Sequence, residues 1–284
     1  MSRYCSPLRY PGGKNSIFPF VSNLFYENDL VGVAYAEPYA GGAGLALRLL
    51  FEEYVDRIYI NDLDPAIYAF WKTVLERSDE LCDWIGQVEV SMHNWHYFKK
   101  QQGQDLDFFE IAKTTFFLNR TNVSGVLKGG VIGGYEQKGK FKIDARFNKS
   151  DLIARIRKIA RFKDRINVSN LDGLSFVKKM DAMREEVFIY LDPPYFQKGS
   201  DLYMNFYSEA DHKKLSRHVE KIKNKWMVSY DNHDFILNLY ADRKKVMYKL
   251  SQSASNRVGD EVLIFSEKIS FDQAVSSLSQ PVYI

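Results

Sequence analysis

Along the chain, short runs of β-branched and aromatic residues alternate with longer stretches whose apolar positions recur every three or four residues. The runs are GVAYAE (32–37), RIYIND (57–62), INVSN (166–170), VFIYLD (187–192), WMVSY (226–230), VMYKL (246–250) and EVLIFS (261–266). Their length and residue types predict strands. Strands separated by helical stretches pair in parallel through right-handed crossovers, so the expected fold class is α/β with a doubly wound sheet. One interval breaks the rhythm. About a hundred residues separate Asp62 from Ile166. Within it, Ile67, Phe70, Trp71, Val74 and Leu75 predict one helix, and Ile111, Thr115, Leu118 and Asn119 predict another. Residues 71–162 are therefore expected to form an inserted, mostly helical subdomain, with 1–70 and 163–284 forming the sheet domain. The end of the insert, 123–147, is rich in glycine among short β-formers, and Gln137, Lys138 and Gly139 suit a turn, which predicts a flexible β-hairpin.

Size and composition fit this plan. The chain has 284 residues, 45% hydrophobic and 26% charged, enough for one large domain or a domain with an insert and too ordered in composition for disorder. No apolar run approaches the roughly 20 residues of a membrane span, so no membrane partner is expected. The start, MSRYCSPLRYPGGK, shows no export signal. The two cysteines, Cys5 and Cys82, cannot build a disulfide framework, so the expected setting is cytoplasmic. His93, His96, His212, His218 and His233 have no matching ligand partners, and no metal is expected. Trp71, Trp84, Trp95 and Trp226 fall on apolar faces or strands and are expected in the core.

The net charge of +3 looks too small to indicate nucleic acid, but the charge is unevenly placed. From Arg120 to Asn170 there are 13 Lys and Arg against Glu136, Asp144, Asp151 and Asp164, a local +9 that leaves −6 on the remainder. Such density is the footprint of a phosphate-binding surface. For Arg155 to Arg165 alone, a solvated helix face explains the pattern equally well.

Three motifs carry candidate chemistry. In AEPYAGGAGLALRLL (36–50) a strand runs into a glycine turn and a helix, which turns helix-terminal donors toward a ligand above the strand ends. Asp62, about 20 residues on, is spaced to accept hydrogen bonds from ribose hydroxyls, which suits an adenosine-containing cofactor. The third glycine of a dinucleotide pattern falls on Leu47, so the pyrophosphate signature is incomplete. Asp192-Pro193-Pro194-Tyr195 follows the apolar strand VFIYL, where doubly wound sheets bind ligands. Two prolines hold their carbonyls rigidly as acceptors, Asp192 adds a carboxylate, and together they suit an amino group with two hydrogens to donate. Tyr195 offers a ring for stacking on the base that carries it. The third motif, Arg9-Tyr10-Pro11-Gly12-Gly13-Lys14, is weak alone: a glycine pair that admits close backbone approach, beside a cation. By these residues the amine of adenine or of cytosine is open, as is a recognition protein without catalysis.

In order, RYPGGK, EPYAGGAG, Asn61-Asp62, LNRTNVSG and DPPY resemble the Dam-type adenine-specific DNA methyltransferases, the alpha-ordered amino-methyltransferases, from Pro7 to about Phe265. The resemblance implies a Rossmann-like sheet binding S-adenosylmethionine, with a mostly helical target-recognition insert carrying a β-hairpin. It implies that Tyr10, Lys14, Glu37, Pro38, Tyr39, Gly42, Gly44, Asp62 and Asp192 form the cofactor site, with Asp172 near the cofactor adenine. Asp192, Pro193, Pro194 and Tyr195 would be the catalytic loop. Asn119, Arg120, Asn122, Lys128, Lys138, Lys140 and Arg146 would contact double-stranded DNA. The target base would be flipped out and stacked on Tyr195; Phe206 and Tyr207, in the loop DLYMNFYSEADH, suit second contacts or simple packing equally. Family members reading GATC carry Arg-Tyr-Asn and Gly-Glu-Phe-Asn runs in the hairpin, where this chain has VLKGGVIGGYEQKGKFKIDARFN, so the recognition sequence stays open. The source is expected to be prokaryotic or a phage; the oligomeric state stays open, a monomer included.

Overall fold

The structure, a computed structural model, describes residues 5–10, 12–196, 207–252 and 257–284. Each of the seven expected strands forms: β1 (Ala34–Glu37), β2 (Ile58–Asn61), β3 (Ile166–Ser169), β4 (Val187–Leu191), β5 (Trp226–Asp231), β6 (Lys245–Gln252) and β7 (Arg257–Phe265). A short β8 (Val282–Tyr283) joins them, and among the described residues they make one sheet in the order β3-β2-β1-β4-β5-β7-β6-β8. The first five neighbours are parallel. The expectation of parallel pairing fails beyond β5, where β7 lies antiparallel between β5 and β6. The chain leaves β6 at Gln252 and enters β7 at Arg257, too short a span for the crossover of a dozen or more residues that a parallel pair requires.

Helices cover both faces, so the central strands are apolar throughout rather than alternating with polar residues. In β4, Phe188 and Tyr190 join the cluster containing α1 (Phe18–Glu27) and α2 (Gly44–Phe51). Val187, Ile189 and Leu191 join the opposite cluster, with α8 (Gly173–Asp181), α9 (Glu209–Val219) and α10 (Asp234–Leu239).

Five helices lie between β2 and β3: α3 (Pro65–Glu76), α4 (Ser78–Gln87), α5 (Met92–Gln101), α6 (Phe108–Thr121) and α7 (Lys149–Arg161). Asp64 starts α3 by accepting the Ala66 N–H at 2.8 Å, with Pro65 in the first turn, where its missing N–H costs nothing. The helical layer thus begins six residues before the expected boundary at 71. It has no core of its own. Trp71, Phe98 and Phe116 are buried in the same cluster as Ile58 and Ile60 of β2, and the Trp71 indole N–H donates to the Gly41 carbonyl at 2.8 Å.

The hairpin expected at 123–147 is absent: these residues form successive turns, and one isolated bridge, Asn122 to Val131, stands for a ladder. The turn at Gln137 does form, with φ +51. Gln137 then uses its side chain internally, donating to the Ile132 and Gly134 carbonyls and accepting the Ile143 N–H. Glycines at 129, 130, 133, 134 and 139 favour turns over extended chain, so side-chain hydrogen bonds replace ladder bonds. Trp71, Trp95 and Trp226 are in the core as expected, with Trp84 packed against it.

Candidate active site

The strand order reverses between β1 and β4, and the connections leaving these neighbours diverge, which opens a crevice above their carboxyl ends. Glu37 ends β1, Asp192 follows β4 and Asp62 follows β2. All three line one cleft of about 700 Å³. Tyr10, Lys14, Pro38, Tyr39, Gly42 and Gly44 line it too, as do Asn119, Arg120, Lys128, Arg146 and Pro194. Residues as far apart in sequence as Tyr10 and Pro194 are thus gathered at the switch point.

The glycine turn is shaped by Tyr10. Gly41 has φ +46, and a β-carbon there would lie 2.6 Å from the Tyr10 ring; at Gly42 it would lie 3.0 Å from the Tyr10 Cβ. At Gly41 glycine is required by both backbone conformation and space, and at Gly42 space alone is tight. Asp62 fixes the turn from below, accepting the Gly41 and Asp64 N–H groups at 2.9 Å each. Burial nevertheless pushes its carboxyl up to about 6. Glu37 accepts the Tyr35 hydroxyl at 2.8 Å, and burial pushes it up to about 8. Both are carboxylates deprived of water and facing a cleft, an environment that a cation or hydroxyl donors would relieve. Leu47, at the place of a third glycine, is fully buried on α2, so the site is not built to admit a pyrophosphate.

Asp192 stands in a buried network. The Lys14 ammonium donates to its two carboxylate oxygens at 2.8 and 2.9 Å and to the Tyr195 hydroxyl at 2.8 Å. The Ser229 hydroxyl donates to Asp192 Oδ1 at 2.7 Å, and Tyr190 pairs with Ser229 at 2.8 Å. Tyr195 donates to Glu261, which also accepts the Tyr248 hydroxyl at 2.8 Å and lies 3.7 Å from Lys14. Burial opposes the Lys14 charge, but Asp192 and Glu261 outweigh it and hold the ammonium well above its ordinary range. Lys14 therefore pairs with the Asp192–Tyr195 loop as well as lining the cleft.

Several expected roles need correction. The Tyr195 ring is only 4% exposed, so it presents no free face for a base to stack on. Tyr207, half-buried, lines the cleft and pairs with the Tyr39 hydroxyl at 2.9 Å; Pro11 and Phe206 lie outside the described residues. Asp172 does not line the cleft. It caps α8, accepting Leu174 and Ser175 N–H groups, while the next residue, Gly173, reaches the cleft wall.

The DNA-contact set divides. Asn119 is buried and fully used: it accepts the Arg9 N–H at 2.8 Å and donates to the Arg9 and Gly125 carbonyls. Asn122 is likewise spent on Trp95, Val126 and Leu127. Neither carries a side chain free to read DNA. Arg120 is buried, donates to the Arg146 carbonyl at 2.7 Å, and is pulled down to about 9 by burial and by Arg9 and Arg155. Lys128, Lys138, Lys140 and Arg146 are exposed, and the Lys140 and Arg146 cations sit 5.8 and 5.6 Å from the exposed Phe141 ring.

Sequence reasoning missed Ser229, Tyr248 and Glu261. Glu261 left one signal, a carboxylate at the head of the otherwise apolar EVLIFS run. Arg9 and Arg155 also line the cleft; Arg9 stood in the RYPGGK motif and Arg155 in the basic segment, but neither position by itself marked a cleft residue. Among the described residues, no three His, Cys, Asp or Glu side chains gather as a metal-ligand set, and no helix is long and apolar enough to cross a membrane.

A family model described as D12 class N6 adenine-specific DNA methyltransferase matches residues 10–254. The Type II methyltransferase M.CviBI of Paramecium bursaria Chlorella virus NC1A is 25% identical over 238 residues, covering 80% of this chain and 85% of that protein. Among solved structures, PH1948 from Pyrococcus horikoshii superposes with a TM-score of 0.43 at 10% identity, covering 91% of this chain and 86% of its own. The rRNA methyltransferase aviRa from Streptomyces viridochromogenes gives 0.38 at 10% identity, covering 93% and 89%. At these scores neither structural likeness bears on the assignment.

Proposed function

Since this chain belongs to the D12 class N6 adenine-specific DNA methyltransferase family, we propose that its cleft holds S-adenosylmethionine and the flipped adenine of a DNA duplex side by side. Methyl transfer to the exocyclic amine of adenine in DNA is the reaction of this chain. The single observation that carries the site reading is that Asp192 shares one cleft with Glu37, Asp62 and the Gly42–Gly44 turn.

The residues at the β1 end fit the cofactor. Asp62 keeps lone pairs for ribose hydroxyls beyond its two backbone bonds. Glu37 is a buried carboxyl whose ionised form a ligand ammonium would stabilise, and Tyr10 closes over the glycine turn. S-Adenosylmethionine, when bound, would supply an electrophilic methyl on a sulfonium; the S–CH3 bonding pair would stay on sulfur as a neutral thioether, and the methylated nitrogen would give up one N–H proton through the Asp192 carboxylate to water.

The chain's own contribution is to the nucleophile. The adenine amine is weak because its lone pair is delocalised into the ring. Accepting its two N–H groups at the Asp192 carboxylate and the Pro193 carbonyl favours a pyramidal nitrogen whose lone pair is localised. The prolines hold that carbonyl in place, and Lys14 and Ser229 fix the Asp192 plane. Rate enhancement then comes from position and electrostatics. The base must leave the stack to reach Asp192, and Tyr207 replaces Tyr195 as the ring available to it. The exposed cations at 128, 138, 140 and 146, interleaved with Tyr135 and Phe141, support a duplex-binding role for the turn-rich loop. The helical layer between β2 and β3 is the target-recognition part in this reading.

The test is transfer of labelled methyl from S-adenosylmethionine to mixed-sequence duplex DNA, followed by nucleoside analysis. Unaltered protein is expected to label N6-methyladenine, and Asp192→Ala to lose the activity while still binding cofactor. Equal activity in Asp192→Ala would remove the catalytic loop from this reading.

A further inference from the structure

We propose that Glu261, on β7, is a positioning residue for methyl transfer: by engaging Lys14 and Tyr195 from behind, it leaves the cluster that faces the amine with a net negative charge. The inference rests on Asp192 being the acceptor of the amine.

The geometry is a chain of three charges. Lys14 lies between two carboxylates, 2.8 Å from Asp192 and 3.7 Å from Glu261. Both Lys14 and Glu261 are almost wholly buried, whereas Asp192 is 22% exposed and lines the cleft. With Lys14 and Asp192 alone the cluster would be neutral, and the ammonium would draw electron density from the oxygens that must accept the amine hydrogens. Burial raises the Glu261 carboxyl, while Lys14 and the Tyr195 and Tyr248 hydroxyls favour its ionised form; in that form Glu261 adds one negative charge on the far side of Lys14. Its oxygens also orient two hydroxyls, Tyr195 and Tyr248. Because Tyr195 donates to Glu261, its oxygen is turned to accept from Lys14 at 2.8 Å. The ammonium is thereby shared among Asp192, Tyr195 and the Gly12 carbonyl at 3.1 Å rather than concentrated on Asp192.

The net charge matters because positive charge grows on the amine nitrogen as it takes the methyl group. Fixed negative charge in a site with little water stabilises that transition state without reorganising. Glu261 does so while touching neither substrate. Its position on an antiparallel strand explains this arrangement. β7 pairs with β5 and β6, placing Glu261 opposite Tyr248 in register and beside the strand that carries Ser229.

The test compares Glu261→Gln and Glu261→Asp with the unaltered enzyme in single-turnover methyl transfer at saturating S-adenosylmethionine and DNA. Binding of each ligand and thermal midpoint are measured in parallel. Glu261→Gln keeps the shape and removes the charge, so the transfer rate is expected to fall on the order of tenfold to a hundredfold, less than the 10²–10³ for loss of a directly contacting group. Both dissociation constants should stay within about threefold, because Glu261 contacts neither ligand. Glu261→Asp keeps the charge at shorter reach and is expected to be the faster of the two variants. A packing role predicts the reverse order. An unchanged rate in Glu261→Gln, a slower Glu261→Asp, or a loss confined to ligand binding each overturns the proposal. Should Glu261→Gln fail to fold, Tyr248→Phe decides: it keeps the charge and is expected within about tenfold of unaltered, and a larger loss points to packing instead. Activity surviving in Asp192→Ala would defeat the site reading itself; an inactive Asp192→Ala beside a fully active Glu261→Gln would defeat this inference alone.

Discussion

Replacing Glu37 by Gln is expected to abolish the rise of S-adenosylmethionine affinity with pH. Burial raises the Glu37 carboxyl to about 8, so near pH 7 only about one molecule in ten carries the charge. If the ligand ammonium pairs with the ionised form, binding at pH 7 must expel most of one proton, and affinity should rise with pH toward the region of 8, then fall as the ligand's own α-ammonium, with an ordinary value of about 8, loses its proton. Isothermal titration at pH 7 in two buffers of different ionisation enthalpy counts the proton directly. The unaltered protein should release it and Glu37→Gln should release none. The same burial acts on stability. A carboxyl whose folded value lies above its ordinary 4.5 holds its proton more tightly folded than unfolded. Its contribution is therefore full below pH 4.5 and is lost as pH rises toward 8. At 1.36 kcal/mol per pH unit, the ionised form costs about 5 kcal/mol above pH 8. Ligand-free Glu37→Gln should gain thermal stability over the unaltered protein at pH 8–9 and match it near pH 4. A pH-flat affinity in the unaltered protein, or equal proton release in the variant, would refute the reasoning.

Gly41→Ala forces a β-carbon into the Tyr10 ring at a left-handed backbone position; cofactor affinity is expected to fall at least about tenfold, with roughly 1–2 kcal/mol of added backbone strain, and a normal dissociation constant would contradict the packing argument. Asn119→Ala removes three buried hydrogen bonds to Arg9 and Gly125, so denaturant unfolding should show a loss of about 3 kcal/mol at roughly 1 per bond; unaltered stability with weakened DNA binding would return Asn119 to the contact surface. Lys140→Ala should flatten the salt dependence of duplex binding by about 0.9 in log–log slope, whereas Lys138, already paired with Glu136, should give less. Equal slopes for Lys140→Ala and unaltered protein would show that the loop does not touch phosphate.

The sequence by itself determined the seven strands, the interruption after β2 and the three loops that carry chemistry, because each depends on local properties: apolar period, turn residues and proline rigidity. It also determined that the +9 segment lies in the interruption, since charge can be counted without a fold. Tertiary structure alone decided how those pieces were used. DPPY could be recognised by spelling, yet whether the Tyr195 ring is exposed depends on Lys14 and Glu261, which lie 181 residues before it and 66 after it. Asn119 and Asn122 have the side chains of DNA readers, but packing spends their hydrogen bonds on the protein. The hairpin was expected from glycines among β-formers; Gln137 satisfies the backbone locally and the ladder never forms. Even the antiparallel β7 follows from a connection length that strand propensity does not encode. Local energetics are written residue by residue, whereas burial and charge pairing belong to groups distant in sequence, and these decide which of the candidate side chains remain free to act.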